Sequence, residues 1–426
     1  DKSSAGMSFL DISTGEFFVA QGGPEHFEKL LHSLQPAEII LAKQHQKHFK
    51  ELYGNKFYVY ALDDWIYTED YTREKLLTHF GTVNLKGFGI DDMHQAIIAA
   101  GASIHYLSDT EHNNIGHITG ISRLAEDAYV WLDRFTIRNL ELIHASSEDG
   151  SSLLKVLDHT ITPMGTRLLK KYIVMPLKDK ISIDARLSVV EHLIKDQQLN
   201  IVISTALKQI GDLERVVSKV SLQKINPREV LQLNRALHAL VPLKSALIAS
   251  GNKQLQQLGD QINLCEVIRA QIDEQIADDA PALVNKGGLI KRGVHPELDE
   301  LRDIGNSGKD FLLKLQQDEI IRTGIPSLKI GFNNVFGYFL EVTNKYKDVV
   351  PSDWIRKQTL TNGERFFTPL LKEYENKILG AEDKCLALEQ KIYETLITGL
   401  QEYVKPIQLN ASVVARLDVL FNFANI

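Results

Sequence analysis

A chain of 426 residues exceeds what a single hydrophobic core organises, so two to four domains are expected. Hydrophobic residues make up 44% and charged residues 24%, the balance of a water-facing globular protein, and no apolar run approaches the roughly 18 residues of a membrane span. A net charge of −7 argues against nonspecific nucleic-acid binding over the whole surface but not against a local basic patch, because phosphate attraction is felt only within about 8–10 Å.

The opening, DKSSAGMSFLDIS, has no basic stretch followed by an apolar one, so no secretory signal is expected, and its lack of an initiator Met reads as a cut from a longer chain. Cys265 and Cys385 are far apart, outside any C-x-x-C pair, and fit reduced thiols of a cytosolic protein. From residue 7 to about 110 the pattern is α/β. Short runs rich in Ile, Val, Phe and Tyr (MSFLDIS, EFFVAQ, AEIILA, FYVYAL) predict strands, with helices over 25–34 and 44–53 between them. Ser13-Thr14-Gly15 predicts a hairpin turn, and 96–107 a buried closing helix.

From about 121 to 290 the pattern is helical. Leu187, Val190, Leu193 and Ile194 recur at three and four, the stripe of a helix facing a core, and Asn226-Pro227 suits the start of another. Residues 296–324 predict a long helix with Leu298, Leu301, Phe311, Leu312 and Leu315 on one side, loosened or bent at Gly305 and Gly308. SLKIGFNNVFGYFLEVTN alternates, breaks at Asn333-Asn334 and alternates again, as a hairpin does. Thr368-Pro369 then opens a helix to about Val404. In it Tyr374, Ile378, Ala381, Cys385, Leu388 and Ile392 follow a seven-residue repeat, a seam about 50 Å long if the helix is continuous. Two long helices flanking a small β insert predict a stalk carrying a tip, with high mobility over 310–370.

Between residues 324 and 368, six basic residues (Lys329, Lys345, Lys347, Arg356, Lys357, Arg365) face four acidic ones (Glu341, Asp348, Asp353, Glu364). The segment therefore carries +2 in a chain of −7. Lys, Arg, Asn, Gln and Thr in turns are the groups that bond phosphate oxygens without reading bases. A solvated loop surface is the plainer reading of the same charges; exposure at the end of an arm favours the nucleic-acid reading.

Other chemistry is less well supported. Asp11 inside the first strand, with Asp63-Asp64 and Asp91-Asp92 after later strands, could hold two metals for nuclease work, although a strand-end Asp more often caps a turn. Gly305 to Lys309 resembles a P-loop, but Asp310 follows the Lys, Asp303 stands where the first Gly belongs, and the setting is helical. The 14 histidines show no metal spacing and no Ser-His-Asp set is apparent, so no active site is predicted.

Several stretches, in order over nearly the whole chain, resemble the MutS family of DNA mismatch repair proteins. They are LDISTGEF at 10–17, RNLEL at 138–142, SLLKVLDHTITPMGTRLLKKYIVMPL at 152–177, HPELDELR at 295–302, GYFLEVT at 337–343, RKQTLTNGERFFTPLLKEYENKIL at 356–379 and LDVLFNFA at 417–424. The resemblance implies a mainly α, multidomain chain. Residues 1–112 would be an RNase H-like α/β connector without nuclease activity, and 121–300 the first core and lever helices. A small β-containing clamp would span 301–370, with the returning lever and end of the core at 371–426. It implies a noncatalytic part that grips duplex DNA through Lys329, Lys345, Lys347, Arg356, Lys357, Asn362 and Arg365, with no cofactor of its own. ATP, Mg²⁺, homodimerisation and a MutL-type partner belong to the full-length protein, bacterial and cytoplasmic. Phe49-Lys50-Glu51 matches the family's mismatch-reading Phe-x-Glu only by chance of position, and the Walker motifs are not in this stretch. An RNase H-like nuclease with a helical appendage and a meiotic-type relative stay open as alternatives.

Overall fold

The computed structural model describes residues 4–110, 115–124, 128–333 and 337–426, with Lys309 by its backbone alone. By its internal contacts the chain divides into two units. One comprises residues up to 225, 229–270 and 397–426; the other comprises 226–228 and 271–396.

The first unit begins with β1 (Ala5–Asp11), β2 (Glu16–Gly22), α1 (Pro24–Leu34), β3 (Glu38–Ala42), α2 (Gln46–Tyr53), β4 (Tyr58–Leu62), α3 (Glu69–Phe80), α4 (His94–Asp109) and the short β5 (Ser122–Arg123). β1 and β2 form the expected hairpin, closed at Gly15, whose φ of +78° suits a residue without Cβ. The four predicted strands do not make one sheet among the described residues. β1, β2 and β5 form one, while β3 and β4 pair parallel in another. Helix α4 packs against the first through Ile97, Ala100 and Ile104, beside Phe17 and Val19, and meets the second through Ala102 and Tyr106.

The helical body follows as α5 (Arg134–Asn139), α6 (Leu153–Leu157), α7 (Pro163–Val174), α8 (Lys180–Lys195), α9 (Gln197–Ile210), α10 (Leu213–Ser221), α11 (Pro227–Ala249), α12 (Lys253–Gln261) and α13 (Glu266–Gln275). The last helix of the chain, Val404–Asn425, packs against α7, α8, α9, α10 and α12 and is buried along most of its length. That burial corrects the stripe expected on α8. Val189 and Leu193 are the buried pair, whereas Leu187 and Ile194 are 57% and 59% exposed. Both registers are apolar in α8, so the sequence period does not choose between them; the neighbouring helices do.

In the second unit α14 (Pro296–Thr323) is one unbroken helix, and β6 (Lys329–Asn333), β7 (Gly337–Thr343), β8 (Ile355–Thr359) and β9 (Gly363–Phe367) precede α15 (Pro369–Leu400), leaving the final helix as α16. Gly308 does not loosen α14. A Cβ there would lie 2.3 Å from Ile378 Cγ1, so the missing side chain lets α14 and α15 approach, and Phe311 stacks on Tyr374 at 3.5 Å. Gly305 has open space around it.

The predicted seam of α15 holds through Ile378 and Ala381, then shifts. Glu389 and Tyr393 are buried, while Cys385, Leu388 and Ile392 are only partly so. A hydrophobic repeat cannot reveal this, because one buried position carries a carboxylate. The four strands form an antiparallel sheet in the order β6-β7-β9-β8. Leu340, Val342 and Phe366 from one face pack with Leu312, Leu315, Leu371 and Ile378 of the two helices. Asn334, half of the predicted turn, lies outside the described residues.

Candidate nucleic-acid interface

Antiparallel partners share a face of a sheet, so the register shows which side chains point away from the helices. Lys329 pairs with Glu341, Glu341 with Arg365, and Arg365 with Gln358. These four make one row across all four strands on the face opposite Leu340 and Phe366. Arg365 donates from Nε to Glu341 at 2.9 Å and from Nη1 to Gln358 at 3.0 Å, and its guanidinium lies 4.1 Å from the centroid of the Phe339 ring. Gly331 makes room for that ring, since a Cβ there would lie 2.8 Å from it.

The seven side chains singled out from the sequence are therefore not equivalent. Lys329 is exposed at the end of the row with no side-chain partner among the described residues. Lys357 sits beside the β-bulge of β8, over Phe367 at 5.3 Å. Lys345 and Lys347 are exposed on a 3-10 turn spanning Asn344–Val349, Lys345 over Tyr346 at 5.5 Å. Asn362 is exposed in the turn between β8 and β9. Arg356, like Arg365, is paired with a carboxylate. Its charge is offset by Glu364 at 3.2 Å, on the opposite side of the sheet from Arg365.

The carboxylates that could have made a nuclease site are engaged separately. Asp11 accepts from the backbone and hydroxyl of Ser13 at 2.8 and 2.7 Å, a turn-capping arrangement. Asp63 pairs with Lys43, Asp64 accepts from Gln44 N, and Asp91 pairs with Arg73 at 2.9 Å. Among the described residues no three His, Cys, Asp or Glu side chains are grouped to hold a metal. Gly305 to Lys309 lie inside α14, where no phosphate-cradling loop can form.

Sequence reasoning missed the polar groups that tie the fold together. Asp418 of α16 is fully buried, and its carboxylate accepts from Ile161 N, Thr162 N and Thr162 Oγ1 at 3.0, 2.7 and 2.6 Å. Burial pushes its carboxyl pKa up against those bonds. Thr162 also caps α7 through Gly165 N, and a Cβ at Gly165 would lie 2.3 Å from Asp418 Oδ2. Arg167 takes up both Asp212 and Glu214, which raise its pKa although burial opposes them. The T-x-T-x-M-G-x-R stretch at 160–167 is thus a structural joint. In the second unit Glu389, also fully buried, binds Arg302 and accepts from Leu289 N at 3.3 Å. Burial works against the Arg302 charge, but the hydrogen bond and charge of Glu389, with smaller help from Cys385 and Asp299, together raise its pKa. A carboxylate inside an apolar seam is the only signal that could have exposed either group beforehand.

Residues 1–119 match the family model for MutS domain II and residues 135–424 that for MutS domain III. The chain is 51% identical over 423 residues to a DNA mismatch repair protein MutS of Parabacteroides distasonis, covering 99% of this chain and 49% of that protein. It is 53% identical over 425 residues to that of Phocaeicola vulgatus, covering 100% and 49%. The chain thus spans about half the length of these curated relatives. No helix of the described residues is long and apolar enough to cross a membrane.

Proposed function

The chain belongs to the MutS family of DNA mismatch repair proteins, and on that footing we propose that residues 325–368 hold the backbone of duplex DNA without reading its sequence. The observation that carries this reading is the four-stranded sheet with one face packed on α14 and α15 and the other bearing Lys329, Arg365 and Gln358. Lys345, Lys347, Lys357 and Asn362 add donors around it, and Arg356 a charge already half spent on Glu364. Such groups neutralise phosphates and release counterions, which supplies affinity but no sequence preference.

In the whole protein the two long helices would act as levers that couple this grip to an ATPase domain using ATP and Mg²⁺, in a homodimer that engages a MutL-type partner on cytoplasmic DNA. The part described carries no catalytic role in this reading, and its α/β region would serve as an RNase H-like connector. The separate engagement of Asp11, Asp63, Asp64 and Asp91 favours this over a nuclease. Fluorescence anisotropy with a 30-base-pair homoduplex and its G·T counterpart tests the proposal. Equal affinity for both, falling about tenfold or more between 50 and 200 mM salt, is the expected outcome for a handful of phosphate contacts. Salt-insensitive or mismatch-selective binding, or Mg²⁺-dependent cleavage that Asp11→Asn abolishes, would refute it.

A further inference from the structure

We propose that the outer face of the sheet, rather than the 344–349 turn, is the phosphate-gripping surface, and that Glu341 is a built-in counterion that weakens the grip. This deepens the DNA-binding reading and rests on it. The row Lys329–Glu341–Arg365–Gln358 crosses the whole sheet, so its two cations stand two strands apart, about 10 Å, with one carboxylate between them. Lys357 joins them on this side: alternation along β9 turns Phe366 inward and Phe367 outward, and Lys357 lies over the Phe367 ring. Three cations against Glu341 leave +2, the whole surplus of the segment, on one face. The remaining charges, Lys345, Lys347 and Arg356 against Asp348, Asp353 and Glu364, sum to zero, with Glu364 taken up by Arg356 and Asp353 by Arg322 of α14 at 3.2 Å.

Arg365 is prepared for a phosphate in a way the lysines of the turn are not. Glu341, Gln358 and the Phe339 ring hold its guanidinium from three directions, while Nη2 has no partner among the described residues. A fixed planar fork loses little side-chain freedom on binding and suits a phosphate's paired oxygens. Glu341 has two effects of opposite sign. It orients Arg365, and at 42% side-chain exposure it also repels the incoming phosphate and occupies Nε. Glutamine keeps the hydrogen-bond acceptor while removing the charge, so Glu341→Gln separates the two effects.

The test is the same anisotropy titration with the 426-residue chain and a homoduplex. Wild-type binding that is absent or indifferent to salt would bring down the DNA reading and this inference with it. If the wild type binds, Glu341→Gln is expected to tighten binding about three- to tenfold and steepen the salt slope by about one unit. Arg365→Gln is expected to weaken binding about tenfold and flatten the slope by about one, a larger loss than Lys345→Ala plus Lys347→Ala together. Tightening cannot arise from a misfolded variant, so the Glu341 result stands even if Arg365→Gln disturbs Phe339. Unchanged or weaker binding by Glu341→Gln, or a salt slope carried mainly by Lys345 and Lys347, would overturn the assignment while leaving the DNA reading intact.

Discussion

In the helical body Asp418 is wholly buried and its carboxylate accepts three hydrogen bonds from one turn, whereas Arg365 on the sheet stays 20% exposed with donors to spare. Both are charged, and both are held by neighbours in the same unit. The difference lies in what is left over. A buried ion must have its bonding capacity met inside the protein, because each unmet bond costs a desolvation penalty. A surface ion can be held by two partners and still offer a third direction to a ligand. The well-patterned stretch at 160–167 therefore serves packing, and the less patterned stretch at 329–365 carries the candidate site.

The comparison is broken most forcefully at Asp418. Asp418→Ala leaves Ile161 N, Thr162 N and the Thr162 hydroxyl without their buried acceptor and should destabilise the fold by about 3–5 kcal/mol in urea unfolding. A loss under about 1 kcal/mol would mean that the joint is replaceable. A smaller effect separates the two glycines of α14. Gly308→Ala drives a methyl into Ile378 and should cost about 1–3 kcal/mol, whereas Gly305→Ala meets nothing and should stabilise the helix by about 0.5–1 kcal/mol. Equal responses would show that Gly308 is not a contact point.

The mildest test is pH. Burial holds the imidazoles of His79 and His117 below their ordinary pKa of 6.5, each with a ring nitrogen bonded to a backbone carbonyl. Unfolded, they protonate near 6.5; folded, they stay neutral to lower pH. Their contribution is therefore present above pH 6.5 and is lost as pH falls from 6.5 toward the lowered folded values. The urea midpoint of the first unit should drop gradually over that range, and His117→Gln should shallow the decline. A midpoint indifferent to pH between 7.5 and 5.5 would contradict the burial of these rings.

Much of the arrangement was legible beforehand. The β1–β2 hairpin, the buried helix near 96–107, the long helix from Pro296 and the one opened by Thr368-Pro369 all follow from local turn chemistry and apolar spacing. The cationic excess of 324–368 is a property of the sequence alone. Helix α3 gave little signal, because its apolar residues are few and form no clear stripe.

Composition, strand and helix periods, and the +2 surplus were determined by the sequence, because each depends on residues near one another along the chain. Only the tertiary structure decided that Arg356 is offset by Glu364 while Arg365 lies in the outward row, or that Asp418 and Glu389 sit inside apolar seams. Those outcomes depend on strand register and on which neighbour faces a helix. Residues such as 161 and 418 meet across more than 250 positions, where local pattern carries no information.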